Sequence, residues 1–228
     1  MKNTILLMML SFVAVKASYG YDSSEHSKRL RQAELVLHQA MAISPDQSIP
    51  QGLLDRAQCA VIVPGVKHGA FIFGARYGKG YISCRNKTGV GWTAPGTIRM
   101  EGGSFGFQVG GSETDIVMLV MNQRGVDRLL TSQFTLGGAA EVAAGPLGRS
   151  ANAQMDALMT AQILSWSVSR GVFAGVSLQG ATLRQDVSDN RELYGRTLEN
   201  REIINQELPV PIAAKRLVAA LNQYSSRK

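Results

Sequence analysis

Histidine and cysteine are scarce in this 228-residue chain, which contains three of the first and two of the second. His26, His38 and His68 show none of the spacings at which histidines bind metals. Cys59 and Cys84 have no further ligand near them in the sequence. The sequence therefore predicts neither a metal site nor a cofactor.

Two glycine-rich segments match parts of catalytic or nucleotide-binding motifs but lack the rest of them. Residues 102–106 fit the G-x-S-x-G pattern, yet every histidine precedes Ser104 and strand-like sequence follows it. Residues 74–80 place three residues between glycines where a phosphate-binding loop has four, and Gly80 replaces its serine or threonine. We therefore expect a hairpin turn in residues 74–80, and a protein that binds a partner rather than an enzyme.

Apolar runs are short, and the one nearest the N-terminus covers residues 5–15, too few to span a bilayer. Lys2 before it and the small residues of Val15-Lys16-Ala17 after it are typical of a signal peptide. We expect a signal peptide at residues 1–17, cleaved between 17 and 20, rather than a buried N-terminal helix. A single domain over residues 21–228 would then be exported to the periplasm or cell envelope of a Gram-negative bacterium.

Acidic residues are missing from residues 56–99, and this segment accounts for the positive charge of the chain. Loss of Lys2 and Lys16 with the signal peptide lowers the net charge from +7 to +5. Residues 18–55 have a net charge of −2 and residues 100–228 are neutral. The segment favours an anionic partner or, alternatively, forms a solvated sheet face. We call it the basic segment; its cations are Arg56, Lys67, Arg76, Lys79, Arg85, Lys87 and Arg99, with His68 beside them.

Residues 24–43 have the periodicity of an amphipathic helix. Its apolar stripe includes Leu30, Leu37 and Met41, which can lie in a membrane interface or pack on a sheet. Three cations, Lys28, Arg29 and Arg31, lie mostly off that stripe. The six residues are our candidates for a membrane-binding helix.

Short apolar runs with turn signals between them follow from Cys59 to Met121. They predict an α+β fold with an antiparallel, twisted, glycine-rich sheet or barrel-like meander. Helices are predicted on both sides of it in sequence, the last over residues 211–224. Cys59 and Cys84 lie in two of the runs, and they can form a disulfide or remain two separate buried thiols.

Ordered blocks across roughly residues 30–208 resemble the SYLF domain family. They are residues 60–64 (AVIVP), 74–80 (GARYGKG), 91–95 (GWTAP), 102–106 (GGSFG), 114–119 (TDIVML), 143–149 (AAGPLGR) and 171–177 (GVFAGVS). The resemblance implies a phospholipid-binding module; eukaryotic members bind phosphoinositides, and some bind and bundle actin. With an export signal, anionic bacterial lipid replaces phosphoinositides and actin as the expected partner.

The function expected from these features is non-enzymatic binding of anionic phospholipid at a membrane surface of the cell envelope. The expected lipid-binding residues are Lys67, His68, Arg76, Lys79, Arg85 and Lys87. The alternative is an envelope assembly protein that acts through homo-oligomers or a protein partner. Aromatic residues interleave with cations in the basic segment, but export argues against nucleic acid as the partner.

Overall fold

The computed structural model describes residues 25–42, 48–70, 73–105, 110–138, 141–148, 161–169 and 172–227. The predicted signal peptide lies outside these residues. The described helices are α1 (Glu25–Ala42), α2 (Gln51–Arg56), α3 (Gln123–Leu129), α4 (Val187–Tyr194), α5 (Asn200–Asn205) and α6 (Lys215–Tyr224), with a short 3-10 helix at Ile212–Ala214 before α6. Among them, none combines the length and apolar character of a membrane span.

Nine strands form one curled, half-barrel sheet in the described part of the chain. They are β1 (Cys59–Ala70), β2 (Phe73–Cys84), β3 (Gly96–Phe105), β4 (Gly110–Val120), β5 (Gln133–Thr135), β6 (Val142–Ala144), β7 (Ile163–Ser169), β8 (Val172–Gly175) and β9 (Thr182–Gln185). Their order is β5-β9-β3-β2-β1-β4-β7-β6, and β8 pairs with β7. The β6–β7 pair is parallel and the others are antiparallel. The predicted α+β class and flanking helices are confirmed.

The sheet is buried on both faces, because apolar side chains alternate between two clusters. Ala60 and Ile62 of β1 pack with α1 and α6 on what we call the helix-covered face. Val61 and Val63 pack on the opposite face, with α3 and the short strands. A strand with two buried faces has a continuous apolar sequence, which explains why residues 60–63 carry no polar residue.

A bulge interrupts β1 at Pro64 and Gly65, where the pairing register with both neighbouring strands shifts. Gly65 has a φ of 60°, and its N–H donates to Asp115 Oδ1 at 2.8 Å. The Pro-Gly pair therefore bends the strand, which continues to Ala70 rather than ending there.

The predicted turn in residues 74–80 is wrong, because these residues lie inside the continuous strand β2. The described part of β1 ends at Ala70, and that of β2 begins at Phe73. Gly78 and Gly80 face the bulge of β1, whose backbone and valine side chains approach them closely. Their lack of a side chain therefore serves strand packing, and the turn signal that glycine normally gives is misleading here.

A disulfide joins Cys59 to Cys84, directly opposite each other on β1 and β2. The bond closes a loop over a sequence separation of 25 residues. It ties the first strand to its neighbour at the end of the sheet where α2 enters.

Replacing both cysteines with alanine is expected to lower the free energy of unfolding by about 3 kcal/mol, since the unfolded chain regains the entropy of that loop. Urea denaturation of the oxidised protein and of the Cys59→Ala/Cys84→Ala variant measures the difference. A chemically reduced wild type should unfold at the variant's urea midpoint. Coincident midpoints for oxidised and reduced protein would contradict the prediction.

Candidate functional site

The cations of the basic segment do not share one face. Because side chains alternate along a strand, Lys67 and Lys79 point to the helix-covered face, whereas His68 and Arg76 point to the opposite one. The register agrees, with Lys67 opposite Tyr77 and His68 opposite Arg76. The sequence predicted one basic patch, whereas the strands place its cations on both faces of the sheet.

Lys79 is held in an ion-pair cluster beneath α1. Its Nζ lies 2.7 Å from Asp189 Oδ1 and 3.1 Å from Asp186 Oδ2. Arg29 Nη1 donates to the other Asp189 oxygen, also at 2.7 Å. Burial lowers the pKa of Lys79, but its hydrogen bonds to the two carboxylates outweigh burial and raise it. Carboxylates in α4 and just before it therefore neutralise Lys79 and Arg29. Little net positive charge remains on this cluster to attract a membrane.

Arg85 is buried, which differs from its expected role at a lipid surface. Its guanidinium donates to the carbonyl oxygens of Leu54, Ala57 and Ser225, at 3.0, 3.3 and 2.6 Å. It also lies over the Trp92 ring, 3.9 Å from the ring centroid. Burial and the nearby Arg227 lower the pKa of Arg85 to about 10. Through these hydrogen bonds, the buried Arg85 side chain joins the end of α2 to the residue that follows α6.

Lys67, His68, Arg76 and Lys87 remain at least partly accessible. Lys67 pairs in register with Glu113, an exposed residue of β4. Burial and the Arg76 charge lower the pKa of His68 from its usual value, which disfavours the charged form of the ring. Lipid binding by these residues stays a prediction.

The predicted apolar stripe of α1 packs on the sheet. Leu30 and Leu37 are 2% and 1% exposed, and Met41 packs against the same cluster. Of the two uses left open by the sequence, the structure therefore shows the intramolecular one. The stripe is not available to a membrane in this fold.

The outer side of the helices combines cations with exposed apolar side chains. Leu35 is 55% exposed on α1, and Ile212 is 82% exposed on the 3-10 helix, which contacts α1. Arg216 donates to the buried Glu34 at 3.1 Å and so fixes α6 against α1. We call this the helix-layer surface; it consists of Lys28, Arg31, Leu35, Ile212, Lys215 and Arg216.

A possible metal-binding group in the described residues is formed by His26, Asp189 and Glu192. His26 Nε2 lies 2.9 Å from Glu192 Oε2 and 4.0 Å from Asp189 Oδ1. Both Asp189 oxygens, however, already accept from Arg29 and Lys79. A cation there would have to displace two positive charges, so the group functions as an ion-pair cluster.

A family model described as Las17-binding protein actin regulator, Ysc84, matches residues 101–224. The chain belongs to the Ysc84 (SYLF) family. Protein YSC84 of Saccharomyces cerevisiae is 36% identical over 203 residues, covering 87% of this chain and 42% of that protein. Human SH3 domain-containing YSC84-like protein 1 is 32% identical over 184 residues, covering 80% and 53%. The SYLF chain spans about half the length of the curated relatives it matches.

Sequence reasoning missed the acidic partners of the basic segment in this SYLF chain. Lys79 and Asp189 are 110 positions apart, so counting charges along the sequence treats them as separate. One signal was present: Asp186, Asp189 and Glu192 recur at a spacing of three, which places carboxylates on one side of a helix. Such a stripe requires partners from elsewhere in the fold.

Proposed function

We propose that this SYLF-family chain binds anionic phospholipid membranes through its helix-layer surface, without catalysis. The observation that carries the proposal is the pairing of exposed Leu35 and Ile212 with cations on the same helices. Lys28 and Arg31 lie on the exposed side of α1 with Leu35, at the i, i+3 and i, i+4 spacings that place residues on one face. Exposed apolar side chains among cations suit the boundary between lipid head groups and acyl chains.

The expected strength is that of a reversible peripheral contact. Lys28, Arg31 and Lys215 together contribute about 3 kcal/mol near an anionic leaflet. Burial of Leu35 and Ile212 adds up to about 1.5–3 kcal/mol for each side chain. The charged part is screened by salt, so binding weakens as ionic strength rises.

The proposal includes export by the N-terminal segment and action in the cell envelope. Relatives are named for an SH3 domain or for binding LAS seventeen, and the match covers 54% and 39% of the length of two of them. For an exported chain, membrane lipid is a more accessible partner than a cytoskeletal protein. The composition of the residues 1–17 supports this choice.

Reversing two charges on α1 is expected to weaken vesicle binding by about tenfold or more, because two attractive contacts become repulsive. The variant is Lys28→Glu/Arg31→Glu, in the chain without residues 1–17. Co-sedimentation with phosphatidylglycerol and phosphatidylcholine vesicles across a salt series measures it. Arg124→Glu, which reverses an exposed charge on α3 across the sheet, serves as the control for a change of charge elsewhere.

Lys67→Glu separates this surface from the basic segment. If the helix-layer surface alone holds the membrane, this variant binds vesicles as the wild type does. If it abolishes binding while the α1 reversals do not, the lipid contacts the strand cations instead. Failure of the wild type to bind phosphatidylglycerol at low salt would contradict the proposed function altogether.

A further inference from the structure

A pocket with a volume of about 350 Å³ opens at the disulfide end of the sheet, on the side away from α1. The disulfide, Val126 and Ile204 form its apolar wall. Its size is at the lower end of the range for small-molecule sites. The helix-layer surface contributes no residue to this pocket. Ligand binding in the pocket can therefore occur independently of membrane contact by that surface.

Positive charge is concentrated beside this pocket. Arg85 and Arg227 both line it, and both donate to the same carbonyl oxygen of Ala57, at 3.3 and 2.9 Å. Two guanidinium groups that share one neutral acceptor repel each other. Lys87, which is exposed, adds a third cation to the lining.

The acidic residues near the pocket are fewer than the three cations that line it. Among the described residues that line it, none is acidic. Asp55, which does not line the pocket, attracts Arg85 and accepts a hydrogen bond from the Ser225 hydroxyl. Glu207 accepts the backbone N–H of Lys87 at the rim. Burial and, to a smaller extent, repulsion from Arg227 lower the pKa of Arg85, and a bound anion would oppose this shift.

Amide side chains supply the remaining polar groups of the lining. These amides belong to Gln58, Asn86, Gln123 and Asn205. The amides of Gln58, Asn86 and Gln123 each already donate one N–H within the protein and retain a second N–H for a ligand. Amides suit hydroxyl groups, whereas guanidinium and ammonium groups suit phosphate oxygens. The two sets occur together around one opening.

We propose that this pocket binds a phosphate monoester carried on a small polyol, with Arg227 and Lys87 contacting the phosphate and the amides contacting the hydroxyl groups. The same chemistry is found in a free sugar or glycerol phosphate and in the exposed head group of a lipid. The proposal does not depend on membrane binding by the helix-layer surface.

Isothermal titration of the chain without residues 1–17 with glycerol 3-phosphate, inorganic phosphate and glycerol tests the proposal. Saturable binding is expected for glycerol 3-phosphate, weaker binding for inorganic phosphate, and none for glycerol. Arg227→Gln and Lys87→Gln should each weaken glycerol 3-phosphate binding by about tenfold or more, since each removes a charged hydrogen-bond donor. Arg191→Gln, an exposed substitution outside the pocket lining, should bind as the wild type does.

Arg227 also donates to backbone carbonyls of Asp55 and Ala57, so its loss could disturb the fold. Because Lys87 is exposed, its replacement should leave the fold intact and test the phosphate contact alone. The urea midpoint of each variant shows whether it is destabilised. Absence of saturable binding, equal binding of glycerol, or full binding by the Lys87→Gln variant would overturn the proposal.

A second arm identifies the source of the ligand. If glycerol 3-phosphate displaces the protein from vesicles that contain phosphatidylglycerol phosphate, whose head group ends in a phosphate monoester on glycerol, the pocket takes a lipid head group. If vesicle binding is unchanged while the titration is saturable, the ligand is a soluble molecule. Both outcomes support the pocket, and the second is also the one expected if the helix-layer surface alone holds the membrane.

Discussion

Replacing Asp189 with asparagine is expected to lower the free energy of unfolding by about 3 kcal/mol, because two cations lose the carboxylate that they share. Asp189 is 5% exposed, and its oxygens lie 2.7 Å from Arg29 Nη1 and Lys79 Nζ. Asparagine keeps the shape but removes the charge, so Arg29 is left in a largely buried site without its close partner. Urea denaturation followed by circular dichroism measures the change.

Glu192→Gln is the matched control for this prediction. Glu192 pairs with His26 in the same cluster, but its side chain is 66% exposed. Exposed pairs contribute little, so this variant should lose less than about 1 kcal/mol. Adding Arg29→Met to Asp189→Asn should recover part of the loss by removing the unpaired charge. Equal effects of Asp189→Asn and Glu192→Gln would show that burial does not strengthen the cluster.

Replacing Gly80 with alanine is expected to cost about 3 kcal/mol or more, because the new methyl group meets backbone atoms that have no room to move. A Cβ at Gly80 would lie 2.2 Å from the Ile62 carbonyl oxygen and 2.7 Å from Val63 Cα. Relief requires separating β1 from β2 at the bulge, in the centre of the sheet. Thermal and urea unfolding of the variant give the magnitude.

Gly52→Ala provides a control of opposite sign. Gly52 lies in α2, and a Cβ there would have no atom within 4 Å. Alanine should therefore stabilise the protein by up to about 1 kcal/mol through helix propensity. If Gly80→Ala is as well tolerated as Gly52→Ala, the close approach of the two strands is wrong.

Helices were predictable because their signals are local. The stripe of Leu30 and Leu37 gave α1 to within about one residue. The cap of α3 is a local signal of the same kind, since the Asn122 side chain accepts from the Gly125 N–H at 3.0 Å. Both signals depend on residues within one or two turns of each other. A local pattern is enough to fix such elements.

Strand boundaries were less predictable, because in this sheet they depend on partners distant in sequence. Pro64-Gly65 and Tyr77-Gly78-Lys79 have the composition of turns, yet both lie within strands because the bulge of β1 faces the glycines of β2. Residues 89–93 contribute only the isolated Arg85–Trp92 bridge to the described pairing. The three-residue strands β5 and β6 are too short to give a period of their own.

The candidate site was predictable in charge but not in placement. Lys28 and Arg31 were among the predicted membrane residues and lie on the helix-layer surface, whereas Leu35 was not selected because it falls off the apolar stripe. The roles of Arg85 and Lys79 depend on residues 140 and 110 positions away. Sequence spacing alone contains no information about such pairs.

The contacts between α1 and α6 join the two ends of the described chain. His38 Nδ1 lies 2.8 Å from the Tyr224 hydroxyl, and Arg216 reaches Glu34, across separations of 186 and 182 residues. During synthesis, α1 can pack on β1, β2 and β4 once these strands are made, but its contacts with α6 form only after Lys215–Tyr224 has been made. Contacts so distant in sequence slow folding. The pairing of α1 with α6 is therefore completed last, and for a chain exported as proposed this delay favours translocation before the fold is complete.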